Sequence, residues 1–439
     1  MQLLSRLIND LMQDIWKEKS IQFQRIYQLC LNMPITKLIS LLENNTALVY
    51  TNYSSNLTSL ITCGCQHFHF KNSLAGCSMC NLHRKSIETD AALTGLRDRD
   101  RYRYSELVQK SFINARGIVR SRTIHEYLFS YDFLNPLEIP DECLDMLLSA
   151  ERGVMKRKPW IYEFETTARS ITKERLQLLK QYVGNRDTII RIGVECADEF
   201  IRNEWLNKNI SNQQIMDSIA YCHEAGIKIT GNVLLGIPGF TEELSINQFL
   251  ETVYWLFSLN IDSISCSLLS RTKNSLQGFI HDSLFESSTL RKYGLTYKEH
   301  TGIPWLFSLI RIIHQLYKSE PKILKKMYFG QFIENYIEQP HSCAYNHSRE
   351  CSCFKEINRI LSLGQLPSDW MKIRALSMYE SDPCYPYYLD ICKRQSEVTN
   401  VADNMRILSK EIIQKKWGED NQRLQSFYSA LHKYYQERI

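Results

Sequence analysis

Short apolar, β-branched runs alternate with longer stretches of helical spacing between about residues 57 and 290 of this chain. Runs at 57–62, 125–129, 160–164, 188–194, 228–235 and 263–269 predict strands. Stretches at 141–149, 172–182, 212–225 and 245–259 predict the helices between them. Repetition of strand, helix and strand is the signature of a parallel sheet, because parallel neighbours need a crossover long enough to hold a helix. Six such strands predict an α/β fold, a partial (β/α)6 TIM-like barrel, with functional groups at the carboxyl ends of its strands.

Outside this span the rhythm is helical. Residues 1–55 read as a helical N-terminal segment of two helices, interrupted near Asn32-Met33-Pro34. The barrel is expected over 56–290, a C-terminal subdomain over 291–365 that opens with a helix at 304–317, and a helical extension over 366–439 that ends in a helix at 424–435.

Composition narrows the classes. With 439 residues, 44% of them hydrophobic, the chain is long enough for one large core plus accessory pieces. No window reaches 18 uncharged apolar residues, and the first helix carries both signs of charge, so neither a membrane span nor a signal peptide is expected. Fourteen cysteines without an export signal fit a reducing, cytoplasmic setting, where clustered thiols bind metal or do redox chemistry. A net charge of +5 permits contact with nucleic acid without demanding it. Residues 81–123 are richer, with ten Lys/Arg against five Asp/Glu. Their alternation from Arg97 to Arg103 reads either as a phosphate-binding surface or as a self-paired helix face.

The chemistry is expected where the first strand ends. Thr62-Cys63-Gly64-Cys65, eleven residues, and then Cys77-Ser78-Met79-Cys80 bring four thiols together. Two thiols separated by two residues grip one metal or cluster, because the turn between them points both sulfurs inward. Four ligands would close a zinc site, whereas three would leave one iron of a [4Fe–4S] cluster open; spacing alone does not choose. A second group, His341, Cys343, His347, Cys351 and Cys353, lies within thirteen residues and reads as a further zinc or iron–sulfur site or as unligated thiols in a turn.

From about residue 57 to 361 the sequence resembles the radical S-adenosylmethionine (SAM) superfamily, and more narrowly the archaeosine synthase radical subunit and its Elp3-like relatives. Thr62-Cys63-Gly64-Cys65 resembles that family's T-x-G-C, and Gly76-Cys77-Ser78-Met79-Cys80 its G-C-T-M-C. Residues 129–135, Phe164-Glu165-Thr166, Ile192-Gly193-Val194-Glu195, Leu206-Asn207-Lys208-Asn209 and 231–242 match further family motifs in the same order. Ile303-Pro304-Trp305-Leu306 and Pro340-His341-Ser342-Cys343 resemble motifs near the family's end. Departures stand at Tyr131-Asp132 and at Thr167-Ala168, where the family has Arg and Pro.

The resemblance implies Cys65, Cys77 and Cys80 as ligands of a [4Fe–4S] cluster, with Cys63 left out. It implies SAM as cofactor, contacted by Met79, Ser130, Glu195, Arg202, Gly236 and Gly239, with Glu195 on its hydroxyls or amino group and Arg202 on its carboxylate. Cys343, Cys351 and Cys353 are the candidates for a second metal site. The implied activity is reductive cleavage of SAM to a 5′-deoxyadenosyl radical that takes hydrogen from a substrate, a modified tRNA base in the nearest relatives. The implied partners are an electron donor such as flavodoxin or ferredoxin, and tRNA or a substrate-delivering protein. Competing readings are radical tailoring of a peptide or small metabolite, and a zinc-stabilised nucleic-acid-binding protein.

Overall fold

The computed structural model describes residues 6–44, 52–54, 57–70, 73–80, 82–118, 125–148, 160–296, 302–329 and 380–436. Ten strands are described: β1 Asn52–Ser54, β2 Leu57–Ser59, β3 His69–Phe70, β4 Ser73–Leu74, β5 His125–Phe129, β6 Ile161–Thr166, β7 Asp187–Glu195, β8 Lys228–Leu235, β9 Ser263–Leu268 and β10 Met327–Phe329. Eight of them form one sheet in the order β1-β2-β5-β6-β7-β8-β9-β10, parallel throughout except for β1, which lies antiparallel on β2. This is an open half-barrel, as the strand pattern predicts. β10 adds a seventh parallel strand to the expected six, pairing Met327 with Ile264; at three residues it is too short for its pattern to stand out.

Before the sheet come α1 Leu7–Ile15, α2 Lys17–Asn32 and α3 Ile35–Asn44, one more helix than expected because the chain also breaks at Trp16. Between β4 and β5 lie α4 Ile87–Arg99 and α5 Arg101–Ile118, which place the arginine-rich run on helices. The crossovers carry α6 Asp141–Leu148, α7 Lys173–Val183, α8 Asn212–Glu224 and α9 Glu242–Ser258. Their starts are set locally: Thr172 and Thr241 accept the N3 amide of α7 and α9, and Ser211 with Gln214 makes a capping box on α8. After β9 come α10 Leu276–Ser283, α11 Ser288–Lys292, α12 Leu306–Ser319 and α13 Pro321–Leu324, and then, from the point where description resumes, α14 Tyr385–Gln395, α15 Val401–Trp417 and α16 Asn421–Gln436.

Two cores result. One lies between the sheet and its covering helices, where Ile190, Ile192, Val233 and Ile264 meet Leu250, Val253 and Ile312. The other joins α1, α15 and α16 to the loop between β2 and α4, with Leu11, Trp16, Phe68, Leu408 and Phe427 among its members.

At the first turn of α9, Glu242 is buried and accepts from Ser308 Oγ at 2.5 Å. Burial pushes its carboxyl up to about 7, against the pull of the Ser308 hydrogen bond. The folded chain therefore holds a proton that the unfolded chain releases near 4.5, so this contribution is complete below pH 4.5, falls as pH rises and is gone above about 7. At about 1.4 kcal/mol per unit the window amounts to roughly 3 kcal/mol. Glu242→Gln is expected to gain stability over the wild-type chain at pH 8 but not at pH 4.5, read from urea midpoints at both values.

Candidate active site

The loop that follows β2 is held by its own backbone and by neighbours. The carbonyl of Cys65 accepts the amides of Phe68 and His69, and the β3–β4 hairpin returns the chain so that Ala75 N reaches Phe68 O at 3.1 Å. Cys80 N closes on Cys77 O at 3.0 Å. Ser78 is gripped from two sides: its amide and hydroxyl donate to Leu206 O at 2.9 Å and Trp205 O at 2.8 Å, and its carbonyl accepts from Leu276 N at 2.7 Å. Asn207 Nδ2 donates to Gly76 O at 2.7 Å, and His67 Nε2 meets Asn207 O at 2.6 Å.

Cys65, Cys77 and Cys80 all line one cavity of about 560 Å³ at the carboxyl ends of the strands. Burial pushes all three thiols up, Cys80 to about 12, and the charge of Cys77 raises both Cys65 and Cys80 further. Three half-buried free thiols lining one cavity suit a site whose cations turn them into thiolates, and the donor set fits an iron–sulfur cluster. Cys63 faces elsewhere. Fully buried, it accepts from Arg97 Nη1 at 3.1 Å and contacts Leu137 O at 3.3 Å, and it does not line the cavity.

Charge enters the same cavity from β7 and the turn beyond it. Glu195 ends β7 at a bulge, with φ 63°, and pairs with Lys208 at 2.9 Å. Gly193 makes room for the pair, because a Cβ there would stand 2.6 Å from both Glu195 Oε1 and Lys208 Nζ. Burial opposes the Lys208 charge, but Glu195 and Cys77 outweigh it and hold the ammonium above its usual range. Glu165, from the end of β6, accepts from Tyr127 Oη and is raised chiefly by burial. Arg169 and Thr167 complete this polar side. Asp132, at one of the departures from the family pattern, ties it together by accepting from Thr166 Oγ1 at 2.5 Å, Thr167 Oγ1 at 2.8 Å and Ser170 Oγ at 2.7 Å.

Of the residues implied for SAM, Met79 and Glu195 line the cavity. Arg202 does not. Its guanidinium is fully buried and donates to Ile210 O, Cys196 O and Asn212 Oδ1, so it is engaged within the turn after β7, and Glu195 pairs with Lys208 instead. Gly236 and Gly239 also stand outside. A Cβ at Gly236 would lie 2.2 Å from Pro304 Cγ, and one at Gly239 would lie 2.6 Å from Leu408 Cδ1, so both glycines serve close packing. Ser130 is buried behind its cavity-lining neighbours Phe129 and Tyr131, with no partner for its Oγ among the described residues. Cys343, Cys351 and Cys353 lie outside the described residues. Sequence reasoning singled out neither Lys208 nor Arg169 nor Glu165 as a site residue. Lys208 and Glu165 sat within quoted motifs, where a charge beside an apolar strand end was the available signal.

The arginine run is largely taken up by partners within the chain. Arg97 also donates to Leu137 O, and Arg99 to Cys30 O and Met33 O, each at 2.6 Å. Arg101 and Arg103 pair with Glu142 and Glu106.

The open parallel sheet and the three thiols at its mouth form a half-barrel whose cavity offers a thiol-rich wall. Over residues 61–251 the chain matches the family model described as the Radical SAM superfamily, a match that supports a [4Fe–4S] cluster and SAM as cofactors. Among similar proteins, the uncharacterized protein MJ0486 of Methanocaldococcus jannaschii is 35% identical over 95 residues, 21% of this chain and 28% of that one. The uncharacterized protein MJ0550 of the same organism is 25% identical over 195 residues, 44% of this chain and 48% of that one. The chain thus spans less than half the length of these curated relatives. A solved structure of the radical SAM methyltransferase TsrM from Kitasatospora setae, with cobalamin and a [4Fe–4S] cluster bound, covers 48% of this chain and 36% of its own at 16% identity and a TM-score of 0.32. The same enzyme with tryptophan and a SAM analogue aligns over equal shares at 17% identity and a TM-score of 0.33. Among the described residues no helix is long and apolar enough to cross a membrane.

Asn207 holds the cluster loop and does so at φ 52°. Asn207→Ala leaves Gly76 O without this donor and puts a residue that disfavours left-handed backbone where Asn tolerates it, an expected loss of about 2–4 kcal/mol in urea unfolding. Asn207→Gly is expected to recover about 1 kcal/mol of that, because only the amide bond is then missing.

Proposed function

We propose that this chain is a radical SAM enzyme that holds a [4Fe–4S] cluster on Cys65, Cys77 and Cys80. The cluster, open at one iron, would supply the electron that cleaves SAM to a 5′-deoxyadenosyl radical, which abstracts hydrogen from a substrate in the cavity. The observation that carries this reading is the meeting of three thiols with the Glu195–Lys208 pair in one cavity at the strand ends. Lys208 and Arg169, the cations that line it, take the role first expected of Arg202 and bind the SAM carboxylate. Glu195 accepts from the SAM amino group or ribose hydroxyls, and Met79 lies over the adenine or against the cluster. Phe129, Tyr131, Leu268, Leu269 and Ile303 form an apolar wall that keeps water from a radical.

The motif resemblance favours a planar, modified tRNA base as substrate within the Elp3-like group. Tyr131, a cavity residue stacked on His83 at 4.2 Å, supports a planar ring by offering an aromatic wall. Internal use of Arg97 and Arg99 weakens both the tRNA reading and the zinc-stabilised nucleic-acid-binding alternative, so radical tailoring of a peptide or small metabolite competes at the level of substrate. A flavodoxin or ferredoxin as electron donor, a second metal group on Cys343, Cys351 and Cys353, and a cytoplasmic setting belong to the same proposal.

Anaerobic reconstitution with iron and sulfide tests it. The expected product is a brown protein that releases 5′-deoxyadenosine from SAM under reduction. Cys65→Ala, Cys77→Ala and Cys80→Ala should fall to background, while Cys63→Ala keeps most of the activity. A colourless protein that retains zinc and leaves SAM intact would overturn the reading, and an inactive Cys63→Ala beside an active Cys65→Ala would overturn the ligand assignment. Lys208→Ala removes a charge-assisted bond of about 1.5–3 kcal/mol and should raise the apparent KM for SAM by roughly 10- to 100-fold.

A further inference from the structure

Beside the cavity, a second set of metal-ligating side chains meets in the interior. One ligand atom each from His69, His83 and Asp90 lies within 4.8 Å of the others. His83 Nδ1 and Asp90 Oδ2 are 2.8 Å apart, while the buried Nε2 of His69 and Oδ1 of Asp90 have no partner among the described residues. Unsatisfied buried polar atoms are costly, and two of them within one group of ligand-type side chains point to a missing partner. Gly64 leaves room beside the group, because a Cβ there would stand 2.8 Å from His69 Nε2 and 3.0 Å from Asp90 Oδ2.

The surroundings orient the donors. The His83 ring is stacked between Phe68 at 4.1 Å and Tyr131 at 4.2 Å, and His69 packs edge-on to Phe23 at 4.6 Å. Ser86 Oγ donates to Asp90 Oδ2 at 3.1 Å, the kind of supporting bond that steadies a carboxylate ligand. Burial disfavours charge on both imidazoles, which suits ligation, and raises the Asp90 carboxyl as well, so that a bound ion would have to draw off its proton. Two imidazoles and one carboxylate, with no thiolate, form a donor set for Zn²⁺ or Fe²⁺.

We propose that His69, His83 and Asp90 bind one divalent ion of the Zn²⁺/Fe²⁺ class, separate from the iron–sulfur cluster, which fastens the cysteine loop to α4. His69 lies between Cys65 and Cys77, His83 follows Cys80 by three residues, and Asp90 stands on α4, so a single ion braces the loop at its middle and at its exit.

The test uses the full-length chain with Cys65, Cys77 and Cys80 replaced by Ala, so that its result does not depend on SAM cleavage. Titration with Co²⁺ should give one equivalent bound per chain with ligand-field bands and no thiolate charge-transfer band from that equivalent. His69→Gln and Asp90→Asn in that background should abolish it with circular dichroism unchanged. Co²⁺ uptake that shows only thiolate bands, as cysteines at 343–353 would produce, or uptake indifferent to both substitutions, would overturn the proposal, as would no uptake by a folded chain. If the triple variant does not fold, Zn²⁺ is added to the reconstituted wild-type protein instead. One equivalent should raise its Tm and leave that of His69→Gln unchanged, and equal Tm values with and without Zn²⁺ would overturn the site.

Discussion

The arrangement at the mouth of the sheet depends on the grip between the backbone at Gly76 and Ser78 and the turn that carries Trp205, Leu206 and Asn207. A loop that carries three inward thiols has little regular structure of its own, so its buried amides and carbonyls need partners from elsewhere. That turn supplies them. It begins with one π-helical turn, Ile201–Trp205, and then passes through left-handed backbone at Asn207 and Asn209. Such a path exposes carbonyls that a regular helix would consume, and the cluster loop takes them. The same turn delivers Lys208 to Glu195, so one stretch of chain sets both the thiol wall and the charged wall.

Arg202 acquires its meaning here. By donating to Ile210 O and Cys196 O across the turn, it holds the two ends of this irregular segment together from inside. A buried guanidinium with its donors engaged is a structural tie, and removing it would leave several acceptors unpaired. Lys208 is then free of a supporting duty and faces the cavity. Its charge also favours thiolates at Cys77 and Cys80, offsetting part of what burial does to them.

These relations explain which parts were legible in the sequence. The parallel strands announced themselves because each is a compact apolar run between turns, and the alternating burial of β5 and β7 follows that pattern closely. β10 has three residues, and the β3–β4 hairpin inside the cysteine loop has two per strand, too few for a period to show. Spacing brought Cys63 and Cys65 forward as equals, and the fold gives them different surroundings: Arg97, thirty-odd residues away, claims the Cys63 sulfur, while Cys65 lines the cavity. Of the two cations after β7, the sequence pointed to Arg202 and passed over Lys208. Only the direction in which the π-helical turn leaves β7 decides which one reaches the cavity.

The terminal helices brace the same loop. In sequence they flank the barrel and look detachable, yet their apolar faces form a single core with the cysteine loop. Trp16 packs edge-on to Phe68 at 4.8 Å, directly behind the loop, and Arg423 of α16 pairs with Asp10 of α1. Gly239 lets Leu408 of α15 close on the turn after β8. α1 packs on the loop between β2 and α4, while α15 and α16 pack on the turns after β8 and β7, so the thiol loop and the turn that grips it rest on these helices as well as on the sheet.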